Sequence, residues 1–221
     1  KCKIVVGAGT NSTQSTIELV KALEPLHPDG FLIVGPYYNK PTQEGYFRHF
    51  SAVAKATELP IIVYNVPGRT GSNILPATVA RLAVAHKNIV AIKEAAGNVT
   101  QVAELYQVLP CDFTIYSGDD GLILPFMSVG ATGLISVLSN VYPKILNELM
   151  DAYQKGKVRE AADLNSVMLT VAQAMFMESN PIPVKYAVSK VTKIDVGQPR
   201  LPLTPLSPDN VKKMDLILRA Y

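Results

Sequence analysis

Tryptophan is absent from the 221 residues, cysteine occurs twice and histidine three times. Cys2 and Cys111 lie far apart, with no CxxC or Cys/His spacing around them, which excludes a zinc site and a disulfide framework. That usage fits a reducing, cytoplasmic setting. His27, His49 and His86 fall in or near helical segments rather than after strand ends, so they read as structural or surface residues. Charge of one sign is also lacking. The 21 basic and 18 acidic residues leave a net +3 spread along the chain, with no basic block or basic-aromatic run to follow a phosphate backbone. Nucleic acid is therefore excluded as a partner. No apolar run approaches the length of a membrane span, and the first residues show no charged-then-apolar leader pattern, so no membrane association is expected.

What is present is a recurrence. Short β-branched runs appear at 3–9, 30–36, 59–67, 88–95, 113–120 and 131–137, each nearly continuous in apolar residues, as parallel strands covered on both faces should be. Between them lie amphipathic stretches such as "STIELVKALEPL", "EGYFRHFSAVAKAT", "PATVARLAVAH" and "NVTQVAELYQVL". Six β-α units predict an α/β fold with a parallel sheet wound by right-handed crossovers, either an open doubly wound sheet or most of a (β/α)8 barrel. From about Tyr142 the strand signal vanishes and helices follow, the last opened by Ser207 as N-cap and Pro208 at the first helical position. The expected division is a partial barrel at 1–141 and C-terminal helices at 142–221. "VGQPRLPLTPLSP" reads as a proline-rich surface connection.

In either architecture chemistry sits at the carboxyl ends of the strands, which here carry "GTNST", "PYYN", "YNVPGRT", "KEAAGN" and "SGDD". Lys93 follows the apolar run 89–92, where burial favours a neutral amine able to condense with a ketone; pairing with Glu94 or an acidic neighbour at the rim is the plainer reading. Tyr64 closes the preceding strand, and Tyr37 and Tyr38 the one before, so phenols from neighbouring strands can converge on the lysine or simply bond within the core. Arg69, flanked by Gly68 and Gly71, offers a planar fork suited to a carboxylate on a pliable loop. Two adjacent aspartates in "SGDDG" lack a His or third carboxylate, so no metal is expected, and Asp119 or Asp120 reads as a helix N-cap. "GAGTNST" lacks the third glycine of a dinucleotide loop, so no nicotinamide cofactor is expected. Met175 and Met177 read as core residues of an apolar helix side.

Taken together, "GPYYNKPTQEGYFRHF", "YNVPGRTG", "IKEAAGN", "SGDDG", "GLISV" and "ESNPIPVKYA" resemble the dihydrodipicolinate synthase family, in order along the whole chain. The resemblance implies a (β/α)8 barrel with a C-terminal helical extension and a homo-oligomer, dimer or tetramer. It implies that Lys93 forms a Schiff base with pyruvate, needing no cofactor beyond that covalent imine, and that Tyr64 relays protons beside it. Tyr38 would complete the relay of a neighbouring subunit, Arg69 would hold the carboxylate of L-aspartate 4-semialdehyde, and the carbonyl of Ile135 would lie close to the lysine and tyrosine. Asn11 and Tyr37 match positions that contact lysine in regulated members, but Ser15 stands where those carry glutamate, so weak or absent inhibition is expected. The resemblance aligns "KIVVGAG" with the third barrel strand, so the first two β-α units, with the threonine segment that binds pyruvate's carboxylate, are expected to be absent from this sequence, leaving two open strand edges. The implied reaction belongs to lysine and diaminopimelate biosynthesis. Alternatives are a class I aldolase of the N-acetylneuraminate lyase or sugar-acid kind, and a weakly active or inactive barrel acting as a binding subunit.

Overall fold

A computed structural model describes residues 2–221, which divide into two compact units. The first contains the residues up to Gly118 together with Pro125–Ile135; the second contains Asp119–Leu124 and Ser136–Tyr221.

The first unit is built on six parallel strands in sequential order: β1 (Val5–Gly7), β2 (Gly30–Val34), β3 (Ile61–Asn65), β4 (Ile89–Glu94), β5 (Thr114–Ser117) and β6 (Gly133–Leu134). The parallel α/β alternation expected from the apolar runs is therefore present. Each strand is shorter than its run, because the flanking residues belong to the turns that carry polar side chains. Helices connect successive strands: α1 (Thr13–Leu23), α2 (Gln43–Ala54), the single turn α3 (Pro67–Thr70), α4 (Pro76–Ala85), α5 (Val99–Val108) and α6 (Ile123–Ser128), the last of which crosses from the second unit into the first. Their starts are encoded locally. Ser12, Thr42 and Asn98 accept a hydrogen bond from the backbone N–H three residues on, and Pro67 and Pro76 occupy first-turn positions where no N–H is needed.

The period-two alternation of the strands splits the sheet into two unlike faces. Phe31, Ile33, Ile61, Val63, Ile92 and Ile115 are fully buried, each contributing about 1.5–3 kcal/mol of apolar burial. Leu32, Val34, Ile62, Tyr64, Lys93, Thr114 and Tyr116 are only half-buried. Among the described residues β1 pairs with β2 alone and β6 with β5 alone, so both sheet edges are open. His49, on α2, is a core residue as expected: it is 4% exposed, packs edge-on to Phe50 at 5.1 Å and has Nδ1 2.9 Å from the Thr13 hydroxyl. Burial pushes its pKa down to about 4, so the ring is neutral.

The second unit is helical: α7 (Pro143–Gln154), α8 (Val158–Ala174), α9 (Ile182–Thr192) and α10 (Pro208–Leu218). Met175 is fully buried but caps α8 rather than lying within it, and Met177 follows in the turn. Ser207 stands at the N-cap position of α10, yet its hydroxyl does not cap the helix. It donates instead to Glu178 Oε1 at 2.7 Å, which also accepts from Asn210. Residues 196–207 form no helix or strand, as the proline-rich run predicts. No helix among the described residues is long and apolar enough to cross a membrane.

Candidate active site

Strand register brings the chemistry together. Tyr64 of β3 pairs with Lys93 of β4, which pairs in turn with Tyr116 of β5, so the three side chains occupy adjacent positions on the half-buried face near the strands' carboxyl ends. The Lys93 Nζ lies 4.3 Å from the centroid of the Tyr64 ring, a cation–π distance. Burial pushes the Tyr64 phenol above its ordinary pKa, with the Arg69 charge opposing. The hydroxyl is thus protonated at neutral pH and is a proton donor as it stands.

Gly118, one residue beyond β5, is required by this packing. A Cβ there would lie 2.7 Å from Ala95 Cβ and 2.9 Å from Lys93 Cε, well inside contact distance. Its N–H donates to the Glu94 carbonyl at 2.7 Å, which fixes the approach. In the sequence this glycine is overshadowed by the two aspartates beside it, and Tyr116 lies inside an apolar run that gives no sign of a polar role.

Glu94 does not take the plain role of partner to Lys93. As the next residue of the strand it points to the opposite face, where it is fully buried. Its Oε2 accepts from Asn65 Nδ2 at 2.9 Å and Gln101 Nε2 at 3.0 Å, and its Oε1 from the Ala96 N–H at 2.6 Å. Asn73 joins this network, accepting from Asn65 at 2.7 Å and donating to Gln101 Oε1 at 2.7 Å. Burial raises the Glu94 pKa, partly opposed by these donors. Asn65, Asn73 and Gln101 carry no mark in the sequence, since their meeting with Glu94 depends on separate elements of the fold.

Arg69 is exposed, close enough for its charge to act on the Tyr64 phenol. Its surroundings are less pliable than the two glycines suggest. Residues 67–70 form one helical turn, and only Gly71, at φ 74°, needs glycine's conformational freedom; its Cβ position would also meet Lys40 Cε at 2.9 Å. Ile135 follows β6, and its N–H donates to the Ser117 carbonyl at 2.9 Å, extending the ladder beside the strand that carries Tyr116. Tyr38 projects outward, 88% exposed, from a backbone at φ 72°. Asn39 links the segments of Asn11 and Tyr37: its side-chain amide donates to the Asn11 carbonyl at 2.8 Å and its N–H to the Tyr37 carbonyl at 3.0 Å.

The helix N-cap expected at Asp119 or Asp120 is present. Asp119 caps the short turn at Asp120–Leu122, accepting from the Gly121 N–H at 2.9 Å. Asp120 instead reaches forward, accepting from the Ser136 hydroxyl and from the N–H groups of Val137 and Leu138.

A parallel α/β sheet with a lysine set against a tyrosine at its strands' carboxyl ends places the chain among α/β proteins that gather polar side chains at that end of the sheet. Within that class the chain belongs to the dihydrodipicolinate synthetase family, whose model matches residues 1–221. The 4-hydroxy-tetrahydrodipicolinate synthase of Citrifermentans bemidjiense is 49% identical over 218 residues, covering 99% of this chain and 74% of its own. The solved structure of the 4-hydroxy-tetrahydrodipicolinate synthase from Methylacidiphilum fumariolicum SolV superposes with a TM-score of 0.94 at 47% identity, covering 98% of this chain and 72% of its own. The chloride-inhibited dihydrodipicolinate synthase from Acinetobacter baumannii, solved with pyruvate, gives a TM-score of 0.93 at 43% identity, with 99% and 75% covered.

Proposed function

We propose that this chain is a 4-hydroxy-tetrahydrodipicolinate synthase, a lyase that condenses pyruvate with L-aspartate 4-semialdehyde in lysine and diaminopimelate biosynthesis. The observation that carries the reading is Lys93 Nζ held 4.3 Å over the Tyr64 ring by strand register, in a chain 49% identical to a synthase of that name. A relative solved with pyruvate supports the first substrate.

Lys93 attacks the ketone carbon of pyruvate and, with loss of water, forms an imine. The protonated imine acidifies the adjacent methyl group, and removal of one of its protons gives an enamine that adds to the aldehyde carbon. The protonated Tyr64 hydroxyl supplies the proton for water's departure and takes one back from the methyl group. Arg69 receives the aldehyde substrate's carboxylate through its guanidinium fork. The Ile135 carbonyl borders the reacting centre. No cofactor enters beyond the imine itself.

The six strands correspond to consecutive strands of a (β/α)8 barrel, with the C-terminal helices as its extension, and the enzyme acts as a cytoplasmic homo-oligomer. Tyr38, exposed in its own chain, is the side chain offered to a second copy's site. Asn11 and Tyr37 are this chain's contribution to a lysine-responsive position, with weak or no inhibition.

The test is mass spectrometry after incubation with pyruvate and borohydride, which reduces an imine to a stable amine. A pyruvyl adduct is expected on the peptide containing Lys93 and none in Lys93→Ala. A folded chain that gains no adduct overturns the reading.

A further inference from the structure

Residues 66–74, which carry Arg69, are tied from several sides by amide groups outside the site itself. Asn65 Oδ1 accepts from the Ile74 N–H at 3.0 Å, closing the segment between its two ends. Asn73, near the second end, is the hub. Its Oδ1 accepts from Asn65 Nδ2 at 2.7 Å and Gln101 Nε2 at 3.2 Å, its Nδ2 donates to Gln101 Oε1 at 2.7 Å, and its carbonyl accepts from Gln43 Nε2 at 2.8 Å. Every hydrogen-bonding atom of the Asn73 side chain has a partner. Those partners sit on β3, α5 and the start of α2, and Asn65 and Gln101 are themselves fixed by the buried Glu94 carboxylate. A fully satisfied buried network rigidifies what it holds and has few alternative arrangements.

We propose that the amide cluster of Asn65, Asn73 and Gln101, seated on Glu94, is a positioning device that sets Arg69 and thereby determines acceptance of the carboxylate-bearing aldehyde, leaving imine formation at Lys93 to separate contacts. The inference rests on the proposed synthase reading. It assigns the two substrates to two supports: pyruvate to the β3–β5 register around Lys93, and the acceptor to the clasp behind β3 and β4. A charged group held by a guanidinium fork is sensitive to small displacements, and a misplacement of about 1 Å costs on the order of a hundredfold in rate.

Asn73→Ala removes the hub without touching Lys93, Tyr64 or Arg69. The expected result is a KM for aspartate semialdehyde raised about tenfold, with borohydride trapping of pyruvate within about twofold of the parent. In an Arg69→Ala background the same substitution should add almost nothing, because the side chain it positions is gone. Full additivity in that background, an unchanged KM, or an equal loss in pyruvate trapping overturns the proposal. Hydrogen exchange supplies a readout independent of turnover: residues 66–74 should exchange faster in Asn73→Ala while β4 keeps its protection, and unchanged exchange there also overturns it. Failure of the parent chain to trap pyruvate would count against the synthase reading alone, and the exchange result would still decide whether the clasp exists.

Discussion

Lys93 and Glu94 are neighbours in one strand and have opposite fates. Lys93 stands on the half-buried face against an aromatic ring; Glu94 stands on the covered face, fully buried, with donors on both oxygens. The period-two geometry of a strand makes this division unavoidable. Its consequence is that the lysine proposed to react and the carboxyl group bracing the same strand lie one peptide unit apart on opposite faces.

The most severe way to break that contrast is to strip the reactive face of its proton donor while keeping its shape. Tyr64→Phe retains the ring that packs against Lys93 Nζ but removes the hydroxyl. The expected loss is about 10²–10⁴ in kcat, the usual range for a general acid–base group, with a folded protein of nearly parental stability. Steady-state kinetics beside a thermal melt checks this. A variant within a factor of three of the parent would move the proton relay elsewhere, with Tyr116, the other register neighbour of Lys93, the next residue to replace.

A milder break acts through the backbone. Gly118→Ala would insert a methyl group at 2.7 Å from Ala95 Cβ and 2.9 Å from Lys93 Cε, with the Glu94 carbonyl 3.2 Å away. Backbone and a short side chain cannot swing aside as a long one can, so the strand ends must part. Overpacking of this kind costs about 1–3 kcal/mol. The lysine should be displaced as well, slowing pyruvate trapping by about tenfold. Chemical denaturation and the trapping rate together check the prediction; parental values for both would mean that the 2.7 Å approach is easily relieved.

These residues also show what the sequence could and could not reveal. The six strands, the helices between them and the helical second half follow from local apolar periodicity, and Lys93, Tyr64 and Arg69 stand out because each polar side chain ends an apolar run. Gly118 carries no such mark, since its necessity arises from Lys93 and Ala95 at the end of another strand. Gly68 and Gly71 look alike in sequence, but only the second has a backbone that demands glycine. Asn65, Asn73 and Gln101 are ordinary polar residues until the fold gathers them about Glu94. Ser207 sits where a cap belongs yet donates to Glu178, a partner 29 residues away that no local pattern discloses. Local patterns announce elements and their ends, whereas contacts between distant elements become legible only once the elements are placed.

The finest test concerns charge on the covered face. Glu94 has its pKa raised from 4.5 by burial, the four hydrogen-bonding groups around it only partly offsetting that cost. A carboxyl that binds its proton more tightly when folded makes the folded state the greater proton binder between the unfolded and the folded pKa. Stability from this group therefore falls as pH rises through that window and recovers as pH is lowered towards 4.5. Glu94→Gln abolishes this slope. Its –NH2 must also replace one of the two oxygens, facing either Asn65 Nδ2 and Gln101 Nε2 or the Ala96 N–H, all of them donors, which adds a loss of stability that does not itself vary with pH. Unfolding free energies of the two proteins measured between pH 4.5 and 8 separate the two effects: the parent's advantage over Glu94→Gln should be largest at the acidic end and shrink towards neutrality. An advantage that instead grows with pH would mean that the donors outweigh burial and that Glu94 braces the strand as a stabilised anion, which would make the covered face electrostatically favourable in its own right rather than merely satisfied.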